Sequence, residues 1–197
     1  IAALILAVIL IFSIASVSAS AEMQSFPTYK EAIYNGLYNM ETEIDLSKYN
    51  VTEDDVFNYI NYLIYQQPEV CYFNYDEIPY SSIGNQVITI SFQYVISESE
   101  MLSQRKFIDD TLNPVLAKVD ANWSDTEKAL YVHDWLVSNF MYDYRLFETP
   151  GTENHDIYGF LKDGIGVCQS YAYTYMYMMR KLGLESYMAI SPEKDIN

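Results

Sequence analysis

The chain contains few of the residues that build metal sites and disulfide frameworks. Its 197 residues include two cysteines and two histidines. There is no Cys-x-x-Cys pair, no Asp-rich loop of the EF-hand kind, and no spacing of histidines typical of zinc. We therefore expect no metal and no cofactor. Two cysteines, Cys71 and Cys168, are also too few for a disulfide scaffold. We expect both to be free, and a single Cys71–Cys168 bond is the alternative.

Basic residues are scarce as well. Lysine and arginine number 11 against 27 aspartates and glutamates, which gives a formal net charge of −16. Because such a surface repels phosphate groups, the composition argues against a nucleic-acid partner. It does not identify a substrate, since an ordinary solvated acidic surface has the same composition.

Apolar and aromatic residues, by contrast, are plentiful. Half of the chain is hydrophobic, and 20 tyrosines are spread along it without a repeat. Tyrosine can fill a core while its hydroxyl reaches a polar partner. The length and this composition predict one domain of ordinary size together with a smaller folded region.

The most informative stretch runs from Asp163 through Cys168 to Gly183. Gly164 and Gly166 allow a tight turn, an apolar and aromatic run follows the cysteine, and two basic residues precede Gly183. This pattern predicts a helix with Cys168 in its first turn. The free N–H groups of that turn favour an anion, so Cys168 is a candidate nucleophile. The alternative is a small core residue, because free cysteine is often buried.

The residues around this cysteine favour the nucleophile. The segment Gly-Val-Cys-Gln-Ser-Tyr-Ala, with Tyr158-Gly159-Phe160-Leu161 before it and Leu182-Gly183-Leu184 after it, resembles the nucleophile segment of the transglutaminase-like superfamily. The resemblance is strongest over residues 124–190. It implies a papain-like fold in which a cysteine, a histidine and an aspartate form a catalytic triad.

The resemblance therefore implies an α+β fold with a papain-like, transglutaminase-like core, preceded by a small α/β leader region. In this family the histidine, usually in a His-x-Trp-Asn context, and the aspartate follow the cysteine. Neither motif occurs before Asn197, and the sequence begins at Ile1 without methionine. We expect a piece of a longer protein that is incomplete at the C-terminus of the domain and catalytically inactive by itself.

The first 21 residues have the pattern of an export signal. Residues 1–12 carry no polar side chain, and this apolar run is short for a membrane span. Ala19-Ser20-Ala21 has the small-x-small form of a signal-peptide cleavage site. A cleaved signal peptide is the favoured interpretation, and an uncleaved membrane anchor is the alternative. Either one predicts an extracellular or cell-surface protein that contacts the membrane only through this segment.

Residues 22–120 form the leader region, in which no catalytic motif occurs. Helical apolar spacing predicts helices over residues 29–41 and 52–68. A short buried strand is predicted at Cys71-Tyr72-Phe73, where the cysteine has a structural role, and a half-buried strand over Ile88–Ile96, with its isoleucines facing inward.

The transglutaminase-like domain is predicted over residues 121–197. Before it, Ser97 and Glu100 form a capping box that opens a helix toward Val119. Pro114 should kink or break that helix. Within the domain, a second capping box at Ser124 opens another helix.

Two histidines lie within this domain. His133 falls on the apolar face of the second helix, and we predict a packed, hydrogen-bonded residue. His155 lies in the loop of residues 141–156 and is predicted at the solvated surface. After the Cys168 helix, residues 186–191 predict a strand.

Two functions are compatible with these patterns. The first is a cysteine enzyme in which Cys168 forms a thioester with a glutamine carboxamide or a peptide, followed by acyl transfer to an amine or by hydrolysis. Its partner would be a protein or peptide substrate, with a cell-wall peptide among the candidates. The alternative is a non-catalytic binding or cell-wall scaffold protein with the same fold.

Export generates a first testable prediction. The full gene expressed in a bacterium should yield a secreted or surface protein whose N-terminus follows the Ala19–Ala21 site, because signal peptidase recognises small residues there. N-terminal sequencing of the product measures this directly. A cytosolic product that begins upstream of Ala19 would contradict the prediction.

Overall fold

The computed structural model describes residues 26–148, 151 and 153–189. The predicted export signal at residues 1–21 lies outside the described residues. The described chain is α+β, as the sequence predicts. None of its helices has both the length and the apolar character needed to cross a membrane.

The leader folds around a three-stranded antiparallel sheet in the order β1-β3-β2. Its elements are α1 (Tyr29–Tyr38), β1 (Glu43–Asp45), α2 (Glu53–Gln66), β2 (Tyr80–Ile83) and β3 (Gln86–Ser91). Both helices begin at a threonine, Thr28 or Thr52, whose side chain accepts the N–H of the third helical residue in a capping box. The inner faces of these elements form one apolar core within the leader.

The alternation predicted for β3 is interrupted by a bulge. Thr89 and Val87 pair with successive residues of β2, so Ile88 is an extra residue on β3. Val87 and Ile90 are buried, whereas Ile88 is only half-buried. The strand itself is confirmed, but the prediction that Ile88 and Ile90 share the inner face is wrong, because the bulge shifts the phase of the alternation.

The short strand predicted at Cys71 is also wrong. A 3-10 turn at Pro68–Val70 follows α2, and Phe73 forms a single bridge with Tyr94. Proline is compatible with the first position of a helical turn, so the chain continues as a 3-10 turn through Val70. Of the three residues predicted as a strand, only Phe73 forms a β-bridge. Cys71 is buried beside this turn.

The helices after β3 form a second apolar core. Its elements are α3 (Glu98–Leu116), α4 (Asp125–Asn139), β4 (Met141–Tyr142), α5 (Ile157–Asp163), β5 (Ile165–Gly166) and α6 (Cys168–Lys181). The short strands β4 and β5 are parallel. Residues Ile108, Leu112 and Val115 of α3 are buried in this second core. The helix before the predicted domain boundary at residue 121 thus packs with the domain that follows it.

Three local predictions for this half differ from the structure. Pro114 does not end α3, which continues to Leu116 and stops short of Val119. The loop of residues 141–156 contains β4 and a 3-10 turn at Tyr144–Phe147. The strand predicted at residues 186–191 does not form in its described part, residues 186–189. The backbone of Met188 forms hydrogen bonds to a side chain instead of to a neighbouring strand.

That side chain is the buried amide of Gln66, at the end of α2. Its Nε2 donates to the carbonyl of Met188 at 3.0 Å, and the Met188 N–H donates to its Oε1 at 2.8 Å. The amide therefore forms both bonds that a neighbouring strand would make. It attaches the segment after α6 to the leader.

Further hydrogen bonds join the two cores. The Tyr173 hydroxyl of α6 donates to the Ile64 carbonyl at 3.0 Å, and Arg180 donates to the Gln67 side chain at 3.2 Å. Arg105 of α3 donates to the carbonyls of Tyr38 and Glu69. Two of these acceptors, the carbonyls of Tyr38 and Ile64, lie in the last turns of α1 and α2, where a helix leaves its carbonyls unpaired.

The Gln66 bonds generate a second prediction. Gln66→Ala should lower the free energy of unfolding by about 1–3 kcal/mol, because it leaves two backbone groups of Met188 without partners. Urea denaturation measures the change. Asn61→Ala, at an exposed position of the same helix, is the control and should change stability by less than about 0.5 kcal/mol. Equal effects of the two substitutions would contradict this role of Gln66.

Candidate active site

Cys168 is the first residue of α6, and its side chain is exposed and free. The preceding residue, Val167, provides no side-chain cap for the helix. The N–H groups of the first turn therefore have no capping side chain and can stabilise a negative charge beside the thiol. At the other end, Gly183 adopts a left-handed conformation with φ 77°, so the predicted extent of the helix is confirmed.

The entry to this helix is fixed by close packing at Gly166. A Cβ atom built at Gly166 would clash with the Ser170 hydroxyl and lie 2.6 Å from a ring carbon of Phe160. The buried Ser170 hydroxyl donates back to the Val167 carbonyl at 2.8 Å. Only glycine fits at residue 166, because any side chain would displace the first turn that carries Cys168.

Asn154 holds the same turn from the loop before α5. Its carbonyl accepts the Val167 N–H at 3.3 Å, and its Nδ2 donates to the Ile165 carbonyl and to the Asp163 carboxylate, both at 3.0 Å. One residue therefore binds the chain on both sides of Gly166. The backbone that leads into Cys168 is bonded to the loop that carries His155.

A buried carboxylate lies on the other side of this turn. The side chain of Asp143 is fully buried, and its backbone N–H donates to the Gly166 carbonyl at 2.9 Å. Arg145 donates to both carboxylate oxygens, at 2.8 and 2.7 Å. The hydrogen bonds from Arg145 hold the pKa of Asp143 below its ordinary value, so the carboxylate remains charged. The ion pair holds the loop after β4 in its turn, and the backbone bond from Asp143 to Gly166 attaches that loop to β5.

His155 is bonded to the residue next to the candidate nucleophile. Its Nδ1 lies 3.0 Å from Oε1 of Gln169, and its Nε2 lies 3.2 Å from a carboxylate oxygen of Glu153. The ring is half-exposed, in agreement with a surface position, but it has two partners that the sequence did not indicate.

The positions of the hydrogen atoms in this network can be assigned by starting from Tyr173. Tyr173 has one hydroxyl hydrogen, which it donates to the Ile64 carbonyl, so its oxygen accepts from Nε2 of Gln169 at 2.9 Å. Oε1 of Gln169 consequently faces His155, and Nδ1 of that ring carries a hydrogen. Nε2 faces a carboxylate. In the described structure no hydrogen bond reaches the Cys168 thiol, so neither nitrogen of His155 is placed as its base.

His133 is in a different place from the one predicted. Although its neighbours Val132 and Leu136 are buried, its own side chain is 60% exposed and bonded to Asp134 at 3.0 Å. The prediction of a packed histidine is wrong, because the apolar face of α4 is narrower than the spacing suggested. The imidazole lies at the rim of an apolar groove between α4 and α6 instead.

The two cysteines differ in their surroundings. Cys71 is buried, and its thiol lies 3.5 Å from the Gln67 carbonyl. Burial, with the nearby Glu69 carboxylate, raises the pKa of Cys71 far above its ordinary value. Its thiol therefore remains protonated and unreactive, in agreement with a structural role. Within the described ranges, no group of three or more histidine, cysteine or carboxylate side chains could hold a metal ion.

Sequence reasoning missed three parts of this site: Asp143, Asn154 and Gln169. Their roles depend on long-range contacts, which local periodicity does not report. Asp143 had one local signal, since an aspartate two residues before an arginine can accept the N–H and the guanidinium together in a turn.

One family model matches part of the chain. Residues 115–195 match the family model of the transglutaminase-like superfamily. This confirms the resemblance over residues 115–195 and supports a papain-like core there. The match begins near the end of α3 and includes only residues 115–120 of the leader. No curated protein matches the chain.

Thiol reactivity gives a third prediction. Limiting iodoacetamide at neutral pH should alkylate Cys168 at least tenfold faster than Cys71, because one thiol is exposed at a helix start and the other is buried. Peptide mass spectrometry of the labelled protein measures both rates, and the denatured protein provides the control in which the two should converge. Preferential labelling of Cys71 would contradict the assignment of the site.

Proposed function

We propose that the protein is an exported transglutaminase-like cysteine enzyme that acts on amide bonds, with Cys168 as its nucleophile. The observation that carries this proposal is the exposed thiol at the first residue of α6, inside the segment that matches the superfamily. An exposed thiol at a helix N-terminus is a favourable setting for a nucleophile.

The reaction proceeds in two displacements. In the first, the Cys168 thiolate attacks the carbonyl carbon of a glutamine carboxamide or a peptide, and a C–S bond replaces the C–N bond. The leaving nitrogen takes up a proton and departs as ammonia or an amine. In the second, water or another amine attacks the thioester and restores the thiolate, which yields hydrolysis or a crosslink respectively.

The first turn of α6 supports the intermediate of this reaction. The tetrahedral intermediate carries a negative oxygen, and backbone N–H groups at a helix start are suited to stabilise it. Val167 provides no side-chain cap that would occupy them. Cys168 therefore lies beside donors that are oriented before substrate arrives.

The family resemblance implies that the general base is a histidine that follows the cysteine in the sequence. An aspartate orients that histidine. Both histidines of this sequence precede Cys168. His133 is bonded to Asp134, and His155 is held by Gln169 and Glu153. This supports the expectation that residues 1–197 alone turn over substrate slowly, because nucleophile and base act as a unit.

The substrate in this proposal is a protein or peptide outside the cell, such as a cell-wall peptide. The export pattern of residues 1–21 supports the location, and the net charge of −16 disfavours nucleic acid. A polypeptide amide is consistent with an open, exposed nucleophile, which a large substrate can reach.

Turnover gives the fourth prediction. In this proposal the full gene product is an extended protein, in which the histidine and aspartate implied by the resemblance follow Cys168. That extended protein should release ammonia from a glutamine peptide, or join that peptide to an amine. Cys168→Ala should reduce the rate by at least a thousandfold, because the thioester can no longer form. Cys71→Ala is the matched control, since it removes the other thiol, and it should still form and resolve the thioester.

Three outcomes would decide against parts of this proposal. Equal losses in the two cysteine variants would exclude Cys168 as the specific nucleophile. Equal rates for residues 1–197 and for the extended protein would place the base within the present sequence. No turnover of any amide substrate by the extended protein would favour the non-catalytic binding or scaffold function.

A further inference from the structure

A cavity of about 370 Å³ lies between the leader and the transglutaminase-like domain. From the domain it is lined by His155 and by Gln169, which directly follows Cys168. From the leader it is lined by Cys71, Tyr72 and other residues. Its volume is in the range of sites that accept a small ligand or a large side chain. Most of its leader wall lies outside residues 115–195, which match the superfamily.

Tyrosine rings form much of the wall. Tyr72, Tyr75, Tyr158 and Tyr173 all line the cavity. The hydroxyl of Tyr75 donates to the Cys71 carbonyl at 2.7 Å, and that of Tyr173 donates to a backbone carbonyl of α2. Since backbone carbonyls occupy these two hydroxyls, the rings contribute mainly an apolar surface. Burial raises the pKa of Tyr72 and Tyr75, which keeps both phenols neutral.

The charged groups of the cavity already have partners. Asp156 caps α5 by accepting the Gly159 N–H at 2.8 Å, and Glu69 lies 3.8 Å from the guanidinium of Arg180. The residues that line the cavity include no lysine or arginine. A ligand carboxylate in the cavity would lie near Asp156 and Glu69, and no lysine or arginine of the lining would neutralise it. A ligand lysine would have to compete with the groups that already bond these two carboxylates. An uncharged occupant meets neither cost.

The position of the cavity is fixed relative to the nucleophile. Gln169 is held at both ends of its amide, by His155 and by Tyr173, and Tyr173 is bonded to the leader. An occupant of the cavity therefore contacts the first turn of α6, one residue from Cys168. A polypeptide whose amide reaches Cys168 can place a neighbouring side chain here.

We propose that this cavity is the subsite for an uncharged aromatic or large aliphatic side chain of the peptide that Cys168 attacks. The proposal rests on the function proposed above, and it makes the leader a determinant of specificity. Tyrosine rings favour such a side chain through edge-to-face and stacked contacts in addition to the area that it buries.

The test uses peptide electrophiles that alkylate thiols and differ in one residue beside the reactive group: phenylalanine, glycine, aspartate or lysine. Peptide mass spectrometry gives the second-order rate for Cys168 in residues 22–197 of the chain. The phenylalanine probe should react at least tenfold faster than the glycine probe, and the aspartate and lysine probes should not exceed glycine. Equal rates for all four, or a preference for a charged probe, would overturn the proposal.

A cavity-filling variant tests the location. Gln104 lines the cavity from α3, whereas Ser103 is its exposed neighbour on the same helix. Gln104→Trp should reduce the preference for phenylalanine to less than twofold, and Ser103→Trp should retain it. A full preference in folded Gln104→Trp would overturn the proposal. If that variant fails to fold, as judged by circular dichroism, the four-probe comparison on the unaltered protein still decides.

Labelling with iodoacetamide distinguishes failure of the proposed subsite from failure of Cys168 as the nucleophile. A Cys168 that reacts with iodoacetamide but does not discriminate among the probes would refute the subsite and leave the nucleophile intact. A Cys168 that is inert to iodoacetamide in the folded protein would refute the proposed nucleophile, and the subsite with it.

Discussion

The geometry of the candidate site depends on the close approach of three pieces of chain at Gly166. The Asn154 carbonyl accepts the Val167 N–H, the Gly166 carbonyl accepts from Asp143, and a Cβ atom at residue 166 would clash with Ser170. Backbone hydrogen bonds on both sides of one glycine fix the direction in which α6 starts. Because Cys168 is the first residue of that helix, its exposure and its access to free N–H groups follow from this packing.

A second constraint connects the site to the leader. The Ile64 carbonyl near the end of α2 accepts from Tyr173, which orients the amide of Gln169 and through it the ring of His155. Helices leave their last carbonyls unpaired, so α2 has an acceptor to offer at this position. Helix α2 of the leader consequently influences groups next to Cys168, although α2 lies outside the segment that matches the superfamily.

Local patterns predicted the elements of this structure better than their contacts. The helix start at Thr52, the capping box at Ser124 and the helix that begins at Cys168 were predictable, because caps and glycines act within a few residues. The bulge at Ile88 and the Gln66 amide that replaces a strand partner were not, since each depends on residues distant in sequence. The exposure of His133 shows the same limit for the burial of single side chains.

The central claim is that Cys168 is an acyl-forming nucleophile. It is tested most directly by mixing the extended protein, with Cys71 replaced by alanine, with an excess of an activated acyl donor such as a p-nitrophenyl ester. Acid quenching followed by peptide mass spectrometry then locates any covalent acyl group. A stoichiometric acyl group on Cys168 that disappears when an amine is added is the predicted result. Complete absence of acylation, or acylation that remains in Cys168→Ala, would contradict it.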